Sequence, residues 1–542
     1  MRITNKIMQN NNLNNINTNK ILQDKLSTQM STQKKISRPS EDPVVAIRAL
    51  SLRTSVTEIT QYYSKNVPDA KSWLEVTEGA LKNTAAVLTD MIKQCTKGAN
   101  GDLTSGDREI ILEQLKALRD EVYSTGDSDY AGRYVFTGYR TDVPMSFQEA
   151  QDINYKITQQ VDNSIIDEVT FVKTTKEIDE LGAGGIPTGG KVSVDLADIN
   201  ETNYDSYDFE DTDISSVTVH RIRLAYNACS ANAAPVITDV DGNVLADGGP
   251  GATVGNMQTV HSFDVPSAYE LAADPANKDQ AFYIPETGEI ILGEDLYAQM
   301  MGMTDDNSTV AVNEGEIRIT YEKDQWLKGD LRPEHYYACV STENVNGQDV
   351  VKNYNPSYLD GANLEKQAIE YDIGFNQTVR VNSTADECYD PQIGREVDDL
   401  VKALQDVQEM EKVANDLEER IKKEKDPDAR AVLKTRLDAA KKSLTLLKDK
   451  SQKLFERGIT RMQGYLDDTN LALTNCGTRS SKLALVETRL SSQKITFETL
   501  KSENEDIDIA EIMINLTAAG LTYNASLLAS GKVMQNTLMN FI

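Results

Sequence analysis

The pattern of apolar and polar positions divides the chain into two helical flanks around a middle with strand-like alternation. In the first flank, Asp42 and Pro43 predict a helix start, because Asp accepts from unpaired amides and Pro fits the first helical position. The apolar stripe that follows has four members exactly seven residues apart, as in a coiled coil: Leu74, Leu81, Leu88 and Cys95. We expect this helical segment to end near Gly98, with a second helix over 111–122 and a short β segment over 132–138.

The second flank has the same helical spacing of apolar residues. Apolar positions over 394–425 form a stripe, and Asp426-Pro427 predicts a new helix start. Further along, Leu483, Leu490 and Phe497 lie seven apart. Glycines interrupt the second flank and predict either helix breaks or close helix contacts: 458, 464, 477, 520 and 531.

The middle of the chain alternates apolar and polar residues at a period of two, which predicts β-strands. The clearest segments are 192–194, 217–219, 316–321 and 377–382, and turn-forming pairs stand at 241–242, 346–347 and 189–190. The predicted fold class is therefore mixed. Long, coiled-coil-like helical N- and C-terminal flanks pack together, and a mostly antiparallel β-rich middle of one or two domains is inserted between them.

The distribution of charged residues along the chain supports the same boundaries. The 542 residues carry a net charge of −29, and residues 141–390 alone hold 45 acidic and 14 basic side chains, so the flanks together are almost neutral. We expect the acidic middle to face solvent in any assembly, because like charges repel when packed together. The predicted segments are an N-terminal assembly helix (1–42), a helical rod (43–140), an acidic outer part (141–393), a second rod (394–506) and a C-terminal assembly helix (507–542). Both assembly helices are expected to be poorly ordered in the free monomer.

The sequence lacks the residues that several kinds of binding and catalysis require. The acidic surplus disfavours nucleic acid, and three histidines more than 40 residues apart with five scattered cysteines offer no metal or catalytic motif. Residues 185–191 match the spacing of a phosphate-binding loop, but Val192 stands where a hydroxyl is needed, so a surface loop is expected. The acidic run 201–213 is interpreted as a solvated loop, with weak calcium binding left open. We expect buried or free thiols, no membrane span, no cofactor and no enzyme.

Short motifs near both ends of the chain are more specific than the helical stripes. Residues 36–44, Ile-Ser-Arg-Pro-Ser-Glu-Asp-Pro-Val, resemble the I-x-x-P-S-D-D-P-V signature of the hook–filament junction members of the flagellin superfamily. The motif positions are Arg38, Pro39, Ser40, Glu41, Asp42 and Pro43. Filament flagellins have no proline after the acidic pair, whereas Glu41 here replaces the usual Asp and is expected still to cap. Residues 132–141, the step 476–483 and the closing 538–542 are similar to further elements of the superfamily.

This resemblance implies a structural adapter outside the cell. Such an adapter joins the hook, through hook-associated protein 1, to the flagellin filament by assembling paired terminal helices into a tubular homo-oligomeric ring. It also implies export without a cleaved signal peptide, a chaperone before export, and neither nucleic acid nor membrane insertion. The alternatives are filament flagellin itself, a flagellin-like protein with an enzymatic or adhesive insert, and a generic coiled-coil adhesin.

The candidate functional residues are the apolar stripes at the two chain ends. Ordinary domains fray there, so apolar stripes favour an assembly surface, although an intramolecular core is the other interpretation. The stripes comprise Ile3, Ile7, Leu13 and Ile16, and Ile512, Leu516, Tyr523, Leu527, Met534, Leu538 and Phe541.

Overall fold

Long helices at both ends of the chain carry most of the secondary structure. The computed structural model describes residues 5–101, 103–181, 187–196, 209–248, 256–302, 317–345, 348–359 and 367–535. Its helices are α1 (Asn5–Thr32), α2 (Pro43–Gln61), α3 (Val67–Gly98), α4 (Ser105–Gly126), α5 (Ala268–Ala273), α6 (Glu294–Met301), α7 (Ala385–Cys388), α8 (Gln392–Lys423), α9 (Pro427–Glu505) and α10 (Ile509–Gln535). The chain divides into unit 1 (Met1–Lys71, Glu370–Val379, Arg479–Ile542) and unit 2 (Ser72–Ile369, Arg380–Thr478).

A π-helical turn, Tyr62–Asn66, joins α2 to α3. Pro68, two residues after this turn, has no amide hydrogen, so the ordinary hydrogen bond to the carbonyl of Ser64 is unavailable. A wider turn keeps the helical path at such a point.

The predicted helical seam and the packing of the two flanks are confirmed within unit 2. Leu74, Leu81, Leu88 and Cys95 are all buried. Helices α4 and α8 are joined by ion pairs, Arg108 Nη1 to Glu411 Oε2 and Arg119 Nη1 to Asp398 Oδ1, each at 2.7 Å.

Of the two alternatives predicted at the glycines, helix breaks or close contacts, the structure excludes the breaks. Helix α9 is continuous through positions 458, 464 and 477, and α10 through 520 and 531. Position 458 is instead a close contact, because an added Cβ would lie 3.5 Å from the Leu400 side chain and 3.6 Å from Cys95 Sγ. A single glycine costs only about 1 kcal/mol in a helix interior, which a long packed helix tolerates.

The middle of the chain forms the predicted β structure. The strands are β1 (Asp129–Tyr130), β2 (Arg133–Tyr134), β3 (Asn154–Val161), β4 (Asp167–Lys173), β5 (Thr175–Leu181), β6 (Pro187–Asp195), β7 (Ser215–Arg223), β8 (Val236–Asp239), β9 (Val244–Ala246), β10 (Met257–Thr259), β11 (Ala281–Ile284), β12 (Glu289–Leu292), β13 (Ile317–Lys323), β14 (Ala338–Val345), β15 (Gln348–Tyr354), β16 (Glu370–Gly374) and β17 (Gln377–Arg380). Two larger sheets have the orders β15-β14-β3-β13-β8-β9 and β10-β11-β12-β7-β4. Pairing is antiparallel throughout these sheets except between β10 and β11.

One predicted turn and one predicted loop are wrong. Gly189 and Gly190 lie inside β6, where the register with β5 shifts between Asp179 and Leu181. Glycine is common at such bulges because it tolerates the irregular backbone. Residues 187–191 of the phosphate-loop spacing are therefore strand rather than surface loop, and 185–186 lie outside the described residues. The turn at 241–242 is confirmed, with Gly242 at φ 88°, while 346–347 lies outside the described residues.

All five cysteines are buried and none of them forms a disulfide, as predicted. Burial raises the pKa of Cys95 to about 12 and that of Cys229 to about 11. Both thiols therefore stay protonated and unreactive at neutral pH.

Candidate assembly surface

The terminal helices α1 and α10 lie side by side in opposite directions in unit 1. Near the chain ends, Asn19 Nδ2 donates to Ser526 Oγ at 3.3 Å. At the opposite end of the pair, Lys35 N donates to Glu505 O at 2.8 Å, and Ile507 N donates to Gln33 O at 3.1 Å. The segment between α1 and α2 thus hydrogen-bonds directly to the segment between α9 and α10.

The carboxylate of Glu505 stabilises this contact between the two segments through ion pairs. It is almost fully buried and receives two bonds from Arg53, Nε to Oε1 at 2.6 Å and Nη2 to Oε2 at 2.7 Å. Lys34 Nζ lies 3.4 Å from Glu505 and also pairs with Asp506. Hydrogen bonds from Arg53 hold the pKa of Glu505 below its usual range. Bidentate arginine pairs of this kind fix geometry as well as adding energy.

The proline-containing motif forms the entry to α2. Asp42 caps the helix, with its Oδ1 accepting from Val44 N at 3.0 Å and Val45 N at 3.1 Å, and Pro43 occupies the first helical turn. The expectation that Glu41 caps is wrong. Its Oε2 accepts from Ser37 N at 3.0 Å, because it precedes the cap residue and its longer side chain reaches back into the turn. Residues 38–41 are exposed.

We predict that Asp42→Ala weakens the start of α2 by about 1 kcal/mol, the usual value for losing an N-cap. Hydrogen exchange at the amides of 44–47 in the monomer should then be about five-fold faster. The matched control is Glu41→Ala, which leaves the cap in place and should leave these rates unchanged. Equal rates in wild type and Asp42→Ala would contradict the assignment.

The structure divides the predicted apolar stripes between two environments. Ile512 is buried, Ile16, Leu516 and Tyr523 are half-buried, and Ile7, Leu13 and Leu527 are exposed. Ile3, Leu538 and Phe541 lie outside the described residues, and the side chain of Met534 is likewise not described. The half-buried members favour an intramolecular role in the helix pair, and the exposed members leave the assembly role as a prediction.

Sequence reasoning missed a second stripe on α10, which we term the outer stripe: Ile514, Leu521 and Leu528. These side chains are 67–72% exposed. Their seven-residue spacing was visible in the sequence, but spacing alone does not tell which of two apolar faces meets α1.

Exposed apolar side chains concentrate in unit 1. Of the 28 large apolar side chains that are exposed in the described part of the chain, 18 belong to this unit, which holds about a quarter of the residues. Besides the two helices, they lie on α2 (Val44, Ile47, Leu50), on the end of α9 (Leu485, Ile495, Leu500) and at the β16–β17 turn (Phe375). Isolated exposed apolar residues are ordinary, whereas large contiguous apolar patches are typical of interaction surfaces.

Helix α10 also meets the length and composition expected of a membrane span. Among the described residues one such helix is found, Ile509–Lys532, and most of it is exposed. The expectation of no membrane span stays a prediction, since length and composition alone do not test it. Small uncharged residues such as Ala518, Ala519 and Gly520 lie among the large apolar ones. The same composition suits a helix that packs closely against other helices.

Unit 2 contains a buried ion network that the sequence analysis also missed. Arg223, on β7, pairs with Glu396 at 2.5 Å and with Asp399 at 2.7 Å, both on α8. Arg221 pairs with Asp399 at 2.6 Å and with Glu289. Burial alone would raise the pKa of Asp399, but the charges of Arg221 and Arg223 lower it well below the usual range. The network joins the five-stranded sheet to helix α8.

The described ranges contain no group of three or more side chains that could together bind a metal ion.

The N-terminal helical part of the chain is similar to flagellins. Residues 3–141 match the family model for the bacterial flagellin N-terminal helical region. A flagellin of Clostridium tyrobutyricum is 29% identical over 122 residues, which are 22% of this chain and 32% of that protein.

A more particular similarity lies within this group. Flagellar hook-associated protein 3 of Salmonella typhimurium is 30% identical over 170 residues, which are 30% of this chain and 53% of that protein. The predicted resemblance to hook-associated protein 3 is thereby confirmed. The match spans about half the length of this curated relative. A crystal structure of flagellar hook associated protein-3 from Legionella pneumophila is 10% identical, with 83% of this chain and 97% of that one covered, at a TM-score of 0.29.

Proposed function

We propose that this chain is a structural adapter of the bacterial flagellum that joins the hook to the flagellin filament. The observation that carries the proposal is the antiparallel pair of terminal helices, whose unit exposes a concentration of apolar side chains. Burying one leucine contributes roughly 1.5–3 kcal/mol, so a contact that covers several of them would support a stable ring. The similarity to hook-associated protein 3 supports the junction role in particular.

The proposed partners are hook-associated protein 1 on one side, flagellin on the other and further copies of the same chain around the ring. A chaperone would cover the apolar ends before export, which proceeds without a cleaved signal peptide. The acidic middle would face solvent, where salt screens its charge within about 10 Å at 0.1 M ionic strength. No enzymatic step, cofactor, nucleic acid or membrane insertion is part of the proposal.

Immobilised hook-associated protein 1 and immobilised flagellin provide the test. A junction adapter should bind to both proteins. Filament flagellin should bind to immobilised flagellin but not to immobilised hook-associated protein 1. Failure to bind hook-associated protein 1 would overturn the junction role. Filament flagellin is the second candidate, and the match to a clostridial flagellin favours keeping it.

We also propose that residues 1–42 and 507–542 are poorly ordered in the free monomer. In the described part of α1, Gln29 alone is buried, and in that of α10 the buried residues are Ile512, Ala519 and Ser530. Such limited burial does not offset a backbone ordering cost of about 1–2 kcal/mol per residue. Hydrogen exchange on the monomer should therefore be fast throughout α10. Strong protection of 509–535 would contradict this prediction.

A further inference from the structure

An open cavity of about 650 Å³ lies in unit 2, away from the proposed assembly surface. Its wall is built by β4, by the loop and helix over 261–270, and by one side of α8 and α9. This volume lies in the range of ordinary small-ligand sites.

Two pairs of stacked rings contribute to the wall. The rings of Phe171 and Tyr269 are 4.8 Å apart between centroids and within 3° of parallel. The rings of His261 and Phe263 are 5.2 Å apart and within 9° of parallel. Phe263 is 76% exposed, so its ring is available to a ligand. Flat aromatic faces with nearby polar groups are typical of sites for ligands that have both apolar and polar faces.

Several charged side chains of the wall already have partners within the protein. Glu286 pairs with His261 at 2.5 Å, and Asp406 with Lys402 at 2.8 Å. Glu289 binds both Arg221 and the hydroxyl of Tyr269. A cation would have to compete with these internal partners. An anion would meet a wall with nine acidic and four basic side chains. The wall therefore disfavours an anion, and a cation would have to displace existing partners, so a neutral ligand binds without either cost.

Among the described residues of the wall, two buried polar atoms lack a hydrogen-bond partner. In the part of the chain that the structure describes, Arg221 Nε and Thr175 Oγ1 are buried without a hydrogen-bond partner. A buried donor without a partner is unfavourable, and an oxygen of water or of a ligand that reaches it removes that cost. The carboxylate oxygens of the wall can in turn accept from ligand hydroxyls.

We propose that this cavity binds a neutral, hydroxyl-rich ligand, namely an uncharged oligosaccharide. Phe263 stacks on the apolar face of one sugar ring, and the paired carboxylates accept hydrogen bonds from its hydroxyls. The site does not depend on the junction role, since all its residues belong to unit 2.

Saturation-transfer NMR on the full chain tests this proposal with maltotriose, lactose and N,N′,N″-triacetylchitotriose at millimolar concentration. At least one of them should bind, and Phe263→Ala should weaken that binding about five-fold. The control is Val351→Ala, which changes a comparably exposed apolar residue outside the cavity and should leave binding unchanged.

Three results would overturn the proposal. The first is no binding of any of the three sugars, and the second is equal binding by wild type and Phe263→Ala. The third is preferential binding of a charged probe, with spermidine as the cation and 3′-sialyllactose as the anion. Circular dichroism of Phe263→Ala should match wild type, because this ring is exposed.

Discussion

Replacing Glu396 by alanine is expected to destabilise unit 2 by about 3 kcal/mol, because it removes one of the two carboxylates that pair with the buried Arg223 and leaves only Asp399. Glu396 pairs with Arg223 at 2.5 Å and also with Arg461. Glu396 and Arg223 are each 2% exposed, so water cannot replace the lost partner. The measurement is urea unfolding followed by tryptophan fluorescence, since both tryptophans, Trp73 and Trp326, belong to unit 2.

A control variant lies on the same helix. Glu419 forms an exposed pair with Lys423 at 3.4 Å, so Glu419→Ala should cost less than about 1 kcal/mol. Similar unfolding midpoints for the two variants would contradict a stabilising role of the network in unit 2.

The double substitution Leu521→Asp and Leu528→Asp is expected to abolish self-assembly and filament retention. Both side chains belong to the outer stripe and are exposed in the monomer, so the variant should keep the circular dichroism spectrum of wild type. In an assembled ring the same positions would place two carboxylates in an apolar contact, where unpaired charge is strongly unfavourable. Negative-stain microscopy of assemblies and swimming motility of complemented cells are the measurements.

Leu471→Asp provides the matched control for this prediction. Leu471 is an exposed leucine of a helix, but it lies in unit 2, so assembly should remain normal. Ile512 is buried in the paired state of α10, so Ile512→Asp should prevent the helix pair from forming on assembly and leave the free monomer, in which α10 is poorly ordered, unchanged. Normal rings from the double variant would contradict an assembly role of the outer stripe.

Local features of this fold could be predicted from the sequence because their causes are local. Asp42 caps α2 by accepting from amides that lie only two and three residues further along the chain. The seam from Leu74 to Cys95 depends only on an apolar residue at every seventh position. Helix breaks at the glycines are excluded because packing along a 79-residue helix outweighs the cost of each glycine.

Long-range pairing could not be predicted in the same way. Arg221 and Arg223 alternate along β7 as exposed residues of a strand would, and their carboxylate partners on α8 are more than 170 residues away. The stripes of α10 show a related limit. Periodicity identified apolar faces at both chain ends, but the choice between Ile512 and the outer stripe as the buried face depends on where α1 lies.

The most direct test of the junction role is filament growth on purified hooks that carry hook-associated protein 1 but no junction protein. Flagellin alone should not extend these hooks, and flagellin added after this chain should produce filaments. The Leu521→Asp, Leu528→Asp variant should not support growth under the same conditions. Filaments that grow equally well without the chain, or long filaments formed by the chain alone, would contradict the proposed adapter function.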